Sequence, residues 1–444
     1  MNTKKQYASV FESNGVPHPA QAFPLALQHV VAMIVGCVTP AIIVSGVAGL
    51  TPADKVILIQ AALVVSAIST LLQLFPFVKN SVFQLGSGLP VIMGISFAYV
   101  PSMQAIAASY DVATILGAQL AGGIVAIIVG ILIKKIRPLF PPIITGTVVF
   151  TIGLSLYPTA INYMAGGTSN PTYGSWQNWL VAIFTLAVVT ALNHFGKGFF
   201  KLASILIGII AGYIFSAFFG MVEFSSVAEA GFFQLPQPLH FGLKFEASSC
   251  VAIGLLFAIN SIQAIGDLSA TTIGSMDREP EDRELQGGII MYGITNILGS
   301  LAGGLPTATY SQNVGIVTTT KVINRCVLGL AAIILLVAGL VPKFSALLTT
   351  IPQCVLGGAT VSVFASIAMT GMKLVMSEEM NYRNTSIVGL AAALGMGVSQ
   401  ASGSLAPFPA WVTTIFGKSP VVIATLVAII LNIILPKEKE HKMI

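Results

Sequence analysis

The stretch GLPTATYSQN, from Gly304 to Asn313, places a glycine, a proline and several polar side chains inside an otherwise strongly apolar chain. A second stretch, GLPVIMGISF from Gly88 to Phe97, begins with the same three residues nearly half a chain length earlier. Proline lacks the N–H group that a helix interior needs, so each stretch is expected to interrupt a helix. One such break in each half of the sequence predicts an internally repeated fold.

A further pair of matching stretches supports the repeat. PPIITG at 141–146 and PQCVLG at 352–357 lie at nearly the same separation as the first pair. Counted from the prolines of the first pair, Ser96 corresponds to Gln312 and Phe97 corresponds to Asn313. Interrupted segments at matching places in two halves indicate a solute-binding site in membrane transporters.

The composition is that of a helical integral membrane protein. Of the 444 residues, 55% are hydrophobic and only 8% are charged, and the mean hydropathy is +0.88. An ordinary soluble domain carries about 25% charged residues. Long apolar runs recur without the alternation of a membrane barrel, which predicts helices that bond their own backbone groups within the lipid. The net charge of +5 comes from lysines beside apolar runs, so no nucleic-acid partner is expected.

The apolar runs predict fourteen membrane segments. Twelve are long, and two, around 90–108 and 306–322, are shorter and polar in their middles. Seven segments per half is an odd number, so the two halves are expected to have opposite topology. The predicted organisation is a tail at 1–23, a first repeat at 24–220, an extracellular connection at 221–245, a second repeat at 246–436 and a tail at 437–444.

Lysine and arginine are concentrated at one set of segment ends, which predicts cytoplasmic termini and insertion in the cytoplasmic membrane. The four cysteines lie in apolar stretches at unrelated spacings, so neither a disulfide nor a metal site is expected. No Walker motif, His-Glu-x-x-His motif or nucleophile–base pair is present, which argues against an enzyme and against a bound cofactor.

The polar groups of the interrupted segments predict a binding pocket. Irregular backbone at membrane depth is tolerated only inside the protein or beside a wet cavity. The amide of Gln312 offers a donor and an acceptor in one plane, and Phe97 offers an apolar face. These groups suit a small, planar solute with hydrogen-bonding edges.

The stretch NSIQAIGDLSATT places Asn260, Gln263 and Asp267 on one face of a helix. A carboxylate inside the membrane usually marks a transport pathway or a coupling ion, although a buried helix cap is the alternative. Gln263 either binds the solute or ties two helices together. His29 either assists coupling or bonds a neighbouring backbone. Other polar side chains are expected to hold helices together, namely Asn193, Asn296 and Thr318 to Thr320.

The stretch QNVGIVTTTK at 312–321 is similar to the signature of the nucleobase–ascorbate transporters, also called the nucleobase:cation symporter-2 family. LQH in the first helix, Ser96-Phe97 and AIGDLSATT also resemble its purine-transporting branch. The signature residues that match are Gln312, Asn313, Gly315, Thr320 and Lys321.

The resemblance implies two inverted repeats of seven segments, short strands in segments 3 and 10, a core domain, a gate domain and a homodimer. Gln312 favours xanthine or uric acid, because related uracil carriers tend to have Glu there and ascorbate carriers have Pro. The coupling ion that the resemblance favours is a proton. Asp267 is expected to carry it, because the amide of Gln263 and the phenol of Tyr292 do not titrate in the physiological range, and His29 is the expected helper. The implied substrate residues are Ser96, Phe97, Gln263, Gln312 and Asn313.

Two positions depart from the purine–proton symporters that the chain resembles. Many of these carry Glu at the position of Gln263 and Asp at the position of Tyr292. Both changes remove an ionisable carboxylate, so sodium coupling and uncoupled transport stay open beside proton symport. An anion carrier of the same architecture is a further alternative, although a Gln-Asn amide pair is not the group expected to hold an anion.

Overall fold

The computed structural model of the chain describes residues 7–78, 84–136, 141–168, 170–401, 403–409, 412–417 and 419–436. The first half contains α1 Pro19–Val47, α2 Pro52–Leu74, β1 Met93–Ile95, α3 Val100–Ser109, α4 Val112–Ile131, α5 Ile133–Ile136, α6 Pro142–Met164, α7 Trp176–Phe195, α8 Phe199–Leu202 and α9 Ser204–Ala217. The connection between the halves contains α10 Ser225–Glu229. The second half contains α11 Ala247–Met276, α12 Asp282–Leu301, β2 Thr307–Thr309, α13 Ser311–Thr320, α14 Arg325–Gly339, α15 Pro342–Thr349, α16 Gln353–Val375, α17 Tyr382–Gln400 and α18 Pro420–Ile434.

Each half follows the same order of two long helices, a three-residue strand, a short helix and further long helices. The second matching pair of the sequence begins equivalent helices, because Pro141 precedes α6 and Pro352 precedes α16. These two helices pack against each other at very short range. A Cβ atom added to Gly153 of α6 would lie 2.4 Å from the backbone nitrogen of Ala368 on α16. The glycine therefore permits the close contact between the repeats.

The two strands pair with each other antiparallel, with Met93 opposite Thr309 and Ile95 opposite Thr307. This confirms the short strands that the family resemblance implied. The correspondence of residues counted from the two prolines is wrong by two positions. Strand β1 begins three positions after Pro90, whereas β2 begins directly after Pro306. Aligned by the ends of the strands, Ser96 corresponds to Tyr310 and Phe97 corresponds to Ser311.

The outer edges of the strands are bonded by the second helix of each half. Thr70 of α2 bonds both the N–H and the carbonyl of Met93, at 2.9 and 3.1 Å. Asn296 of α12 does the same for Thr307, at 2.8 and 3.3 Å. These bonds give the edge N–H and carbonyl groups of the strands partners within the protein, which lipid cannot supply. Asn296 therefore holds a strand, and not only a second helix as the sequence suggested.

Some segment boundaries differ from those read in the apolar runs. Helix α1 begins at Pro19, before the predicted position 24. A helix predicted near 325–342 is instead the pair α14 and α15, bent by 80° where Pro342 begins the second helix. Within the described part of the chain, seven helices are long and apolar enough to cross a membrane, or eight if the bent pair is one span. The total of fourteen segments stays a prediction.

Candidate functional site

A small cavity of about 100 Å³ lies where the ends of the two strands meet the middle of α11. One wall is polar and comes from the strand ends and α11. The opposite wall is apolar and comes from α6 and α16, through Val149, Ile152, Val363 and Ile367. The residues of the strand-side wall are Ser96, Phe97, Ala98, Gln263, Thr309, Tyr310, Ser311 and Gln312, with Gly36 of α1 beside them.

Four of the predicted substrate residues line this cavity: Ser96, Phe97, Gln263 and Gln312. Within the described residues, the side-chain amides of Gln263 and Gln312 form no hydrogen bond. Ser96 is already engaged, because its hydroxyl accepts from the N–H of Ala98 at 3.2 Å. The two glutamine amides are therefore the free hydrogen-bonding groups of the wall, and both can bind a solute.

Asp267 lies beside the cavity and is only 8% exposed. Its Oδ2 accepts from the hydroxyl of Thr309 at 2.5 Å, and its Oδ1 accepts from the hydroxyl of Ser311 at 2.8 Å. No lysine, arginine or histidine of the described residues forms an ion pair with it. The carboxyl group therefore ties α11 to both sides of Tyr310, and its bonds go to hydroxyls and not to the free N–H groups of a helix end.

A second, wider cavity of about 840 Å³ contains the Asp267 side of the site. It shares Val149, Gln263 and Ser311 with the first cavity and extends to Pro141 at the start of α6 and Leu374 near the end of α16. Asp267 is thus placed between the small cavity and a wider opening at one end of the helices. This position suits a group that exchanges an ion with one side of a membrane.

Asn313 does not line the small cavity, in contrast to its neighbour Gln312. Its Nδ2 lies 3.1 Å from Nδ1 of His29 and donates to the carbonyl oxygen of His29 at 3.2 Å. Both residues are 1% exposed, and Oδ1 of Asn313 has no hydrogen-bond partner. The structure therefore places this pair behind the site, where it attaches α13 to α1.

Tyr310 was missed by the sequence reading. Its ring packs over Gly94, where an added Cβ atom would lie 2.4 Å from the ring, and its hydroxyl donates to the carbonyl of Ile95 at 2.7 Å. Thr309 and Ser311 on either side were missed as partners of Asp267. Their position within the three residues before Gln312 was the available signal, since hydroxyls are common donors to a buried carboxylate.

The threonine hydroxyls of the signature do not form the hydrogen bonds between helices that the sequence predicted. The hydroxyls of Thr318 and Thr319 bond to the carbonyl of Gly315, and that of Thr320 bonds to the carbonyl of Ile316. These hydroxyls donate within α13, whereas the methyl group of Thr318 packs against α11, where a Cβ atom added to Gly274 would lie 2.7 Å from it. Lys321 donates to the carbonyl of Gly274 at 2.6 Å and so provides a partner for a carbonyl group in the last turn of α11.

Comparison with known proteins agrees with this architecture. A family model described as "Permease family" matches residues 20–403. The chain is 36% identical over 421 residues to the uric acid permease PucJ of Bacillus subtilis, covering 93% of this chain and 92% of that protein. It is 31% identical over 442 residues to the xanthine permease XanQ of Escherichia coli strain K12, covering 96% and 94%.

Among solved structures, the chain resembles the transmembrane domain of the bicarbonate transporter BicA of a cyanobacterium. The TM-score is 0.62 at 17% sequence identity, and the match covers 94% of this chain and 98% of that domain. At this identity the likeness shows the fold alone. The fold is therefore that of a helical membrane transporter with few strands.

Proposed function

This chain belongs to the permease family, also called the nucleobase:cation symporter-2 family, and we propose that it imports a purine base, xanthine or uric acid, by proton symport. The family consists of transporters and not of enzymes. As a multi-pass membrane protein, it is proposed to lie in the cytoplasmic membrane as a homodimer with both termini in the cytoplasm. The bias of lysine and arginine toward one set of segment ends supports that orientation.

The observation that carries this proposal is a pair of unbonded amides facing an apolar wall. Gln263 and Gln312 offer donors and acceptors to the edge of a ring, and Val149 and Val363 lie across the cavity. A purine has polar edges and apolar faces, so it pairs with both kinds of wall at once.

The contacts of Asp267 support its proposed role in coupling. An ionised carboxylate only accepts hydrogen bonds, so it holds the hydroxyls of Thr309 and Ser311 together. A protonated carboxyl oxygen donates, so one of the two hydroxyls must change from donor to acceptor and its hydrogen must find another partner. Ser311 directly precedes Gln312, so proton binding at Asp267 is linked to the strand-side wall of the cavity. His29 is proposed to assist by holding Asn313, two positions further along α13.

An anion carrier is less well supported by the site. The described residues that line the small cavity include no lysine or arginine, and an anion would face two neutral amides there. A uracil permease, a sodium-coupled carrier and an uncoupled nucleobase carrier remain the alternatives to test.

Uptake by cells that lack their own carriers tests the proposal. Labelled xanthine, uric acid, uracil and sulfate are supplied separately, with and without an uncoupler and with and without sodium. We expect uptake of one or both purines, a loss of accumulation on addition of the uncoupler, and no need for sodium. Accumulation of uracil or sulfate alone would refute the substrate, and sodium-dependent uptake that ignores the uncoupler would refute the coupling ion.

A further inference from the structure

A third cavity, of about 610 Å³, lies at the opposite end of α6 and α16 from the wider cavity. Its lining includes Gly166, just after the end of α6, and Gln353, which begins α16. The wider cavity extends instead to Pro141 before α6 and Leu374 near the end of α16. The small cavity is lined by the middle of both helices. The rise of a helix therefore puts the third cavity roughly 15–20 Å from the small cavity.

The repeat relates the third cavity to the wider one. Helices α6 and α16 run antiparallel, because a Cβ atom added to Gly146 near the start of α6 would lie 2.7 Å from the backbone nitrogen of Val375 at the end of α16. The two matching stretches that begin these helices thus lie at opposite ends of the pair, and each contributes its first two residues to the cavity at its own end. The second of these residues is Pro142 in the wider cavity and Gln353 in the third cavity. Only the third cavity therefore receives a side-chain amide at this position.

Asn178 of α7 carries an unbonded side-chain oxygen in the lining of the third cavity. The residue is 3% exposed, and its Nδ2 donates to the carbonyl groups of Ala165 and Thr172 at 3.1 and 2.8 Å. These two acceptors determine which end of the amide is the nitrogen. Its Oδ1 accepts no hydrogen bond from the described residues. A buried acceptor without a partner is costly, so a ligand that donates to Oδ1 is favoured here.

Gln353 supplies a second unbonded amide. It forms no side-chain hydrogen bond within the described part of the chain, and its Oε1 lies over Gly167, where an added Cβ atom would lie 1.3 Å away. A Cβ atom added to Gly166 would lie 2.2 Å from Nδ2 of Asn178. The φ angles are +106° for Gly166 and +87° for Gly167. The backbone after α6 therefore fits closely against both amides, which a side chain at either glycine would prevent.

The remaining lining suits the face of a neutral ring. Phe219 and Met221, just after α9, add apolar surface, and Phe219 packs edge-on against Trp176 with ring centroids 6.1 Å apart. Glu223 is the charged residue of the described lining, and no lysine or arginine is present there. An anion would face this carboxylate without a cation, so a neutral ring with hydrogen-bond donors on its edge is the ligand that fits.

We propose that the third cavity is a second binding site, which holds a neutral purine base before the base reaches the small cavity. The identity of the ligand rests on the proposed function. Oδ1 of Asn178 and the amide of Gln353 bind the edge of the base, and Phe219 contacts its face. In the proposed orientation this end of α6 and α16 faces the outside, so an imported base meets the third cavity first. Xanthine is the probe, because in mildly acidic solution it is neutral whereas uric acid is largely an anion.

The first test counts the xanthine molecules bound by the purified full-length protein in mildly acidic buffer. The wild type should bind a second xanthine per chain. Gln312→Ala should weaken the site in the small cavity, and Gln353→Leu should weaken the other site by about 5- to 10-fold, since one hydrogen-bonding group is lost. The two effects should be independent, because the sites lie far apart. Gln237→Leu is the matched control and should bind like the wild type, because Gln237 is exposed and lines none of the three cavities.

The second test determines from which side of the membrane the third cavity is reached. Gln177→Cys introduces a thiol into its lining, in protein that also carries Gln312→Ala. A maleimide that cannot the membrane should label this thiol from outside the cell. Xanthine at concentrations that fill the site should slow the labelling several-fold. Adding Gln353→Leu should remove most of this protection.

The outcomes separate the third cavity from the proposed function. A single bound xanthine per chain that is lost in Gln312→Ala, or an unchanged second site in Gln353→Leu, would overturn the third cavity as a binding site and leave the proposed function intact. Labelling from the cytoplasmic side alone would overturn its role in entry. A wild type that neither binds nor takes up xanthine or uric acid would refute the proposed function, and this site with it.

Discussion

The two interrupted segments share a backbone and differ in the side chains that follow their strands. In the first half, β1 is followed by Ser96, Phe97 and Ala98, while in the second half β2 is followed by Tyr310, Ser311 and Gln312. The first half thus presents mainly an apolar surface to the cavity, and the second half presents free hydrogen-bonding groups. The repeat reproduces the interruption of the helix in both halves. The hydrogen-bonding side chains that suit a ligand are needed in only one of them.

The first helices of the two halves show a related difference. Helix α1 holds the start of α13 through His29 and Asn313, and α11 holds it through Asp267 and Ser311. In both cases the side chain from the long helix reaches a residue beside Gln312. Only the second contact involves a carboxyl group at the edge of the cavities. The start of α13 is therefore held from two sides, by an imidazole–amide contact from α1 and by a carboxyl–hydroxyl contact from α11.

The largest effect is expected from Asp267→Asn, which removes the ionisable group of the second half. Accumulation against a gradient should fall to the level of cells without the carrier, because an amide cannot take up or release a proton at physiological pH. Exchange of labelled for unlabelled base should persist, since the cavity keeps both glutamines. Asp277→Asn is the control, because Asp277 is exposed at the end of α11. Active accumulation by Asp267→Asn would show that coupling lies elsewhere.

The next effect compares the polar and apolar sides of the wall. Gln312→Ala should weaken binding by about 1–3 kcal/mol, or roughly 5- to 150-fold in KM, because a polar group of the base loses its partner. Phe97→Leu keeps an apolar surface and should cost less, about 1 kcal/mol. Competition assays with purines and uracil measure both. Equal losses in the two variants would mean that the halves contribute alike to recognition.

Two threonines of β2 allow the hydrogen bond to Asp267, with its proposed role in coupling, to be tested separately from the strand itself. Thr309→Val removes a hydroxyl that donates to Asp267, whereas the hydroxyl of Thr307 is buried without a partner. The ionised carboxylate loses a donor in the first variant, so the curve of uptake against pH should move to higher pH by about one unit. Thr307→Val should leave the curve in place. Equal shifts in both variants would contradict the role of the Asp267–Thr309 bond.

The smallest effect is expected at the start of α11, where Glu246 accepts from the N–H groups of Ser248 and Ser249 at 3.1 and 2.6 Å. Burial would raise the pKa of the Glu246 carboxyl, but the hydrogen bonds from Ser248 and Ser249 outweigh it and lower that pKa to about 2. The pKa of Glu246 in the folded protein therefore lies below the ordinary value of about 4.3. The ionised cap stabilises the fold fully above pH ~4.3, and this stabilisation is lost as the pH falls toward about 2.

Glu246→Gln should therefore lower Tm by at most about 2 °C at pH 7, with the difference shrinking below pH ~4. Thermal unfolding of the purified protein at several pH values measures this. The equivalent cap of α1 is His18, which accepts from the N–H of Ala20 at 3.2 Å. A difference in Tm that stays constant down to pH ~2 would show that the charge of Glu246 does not stabilise α11.

The sequence by itself determined the features that depend on local composition and order. Apolar runs predicted membrane helices, repeated glycine–proline breaks predicted two matching interruptions, and the Gln312 signature identified the family. Each of these follows from residues that are near neighbours in the chain, where periodicity and the missing N–H of proline act directly.

Only the tertiary structure decided which side chains meet. Asp267 and Thr309 are 42 positions apart, and His29 and Asn313 are 284 positions apart, so no local pattern indicates either contact. The register of the strands moved the expected match of Ser96 by two residues, because pairing is set by backbone hydrogen bonds across the repeat and not by distance from a proline. Gln312 faces the cavity, whereas the adjacent Asn313 is turned toward α1. Neighbouring positions of a helix point to different faces, and the packing of α13 decides which face meets the cavity.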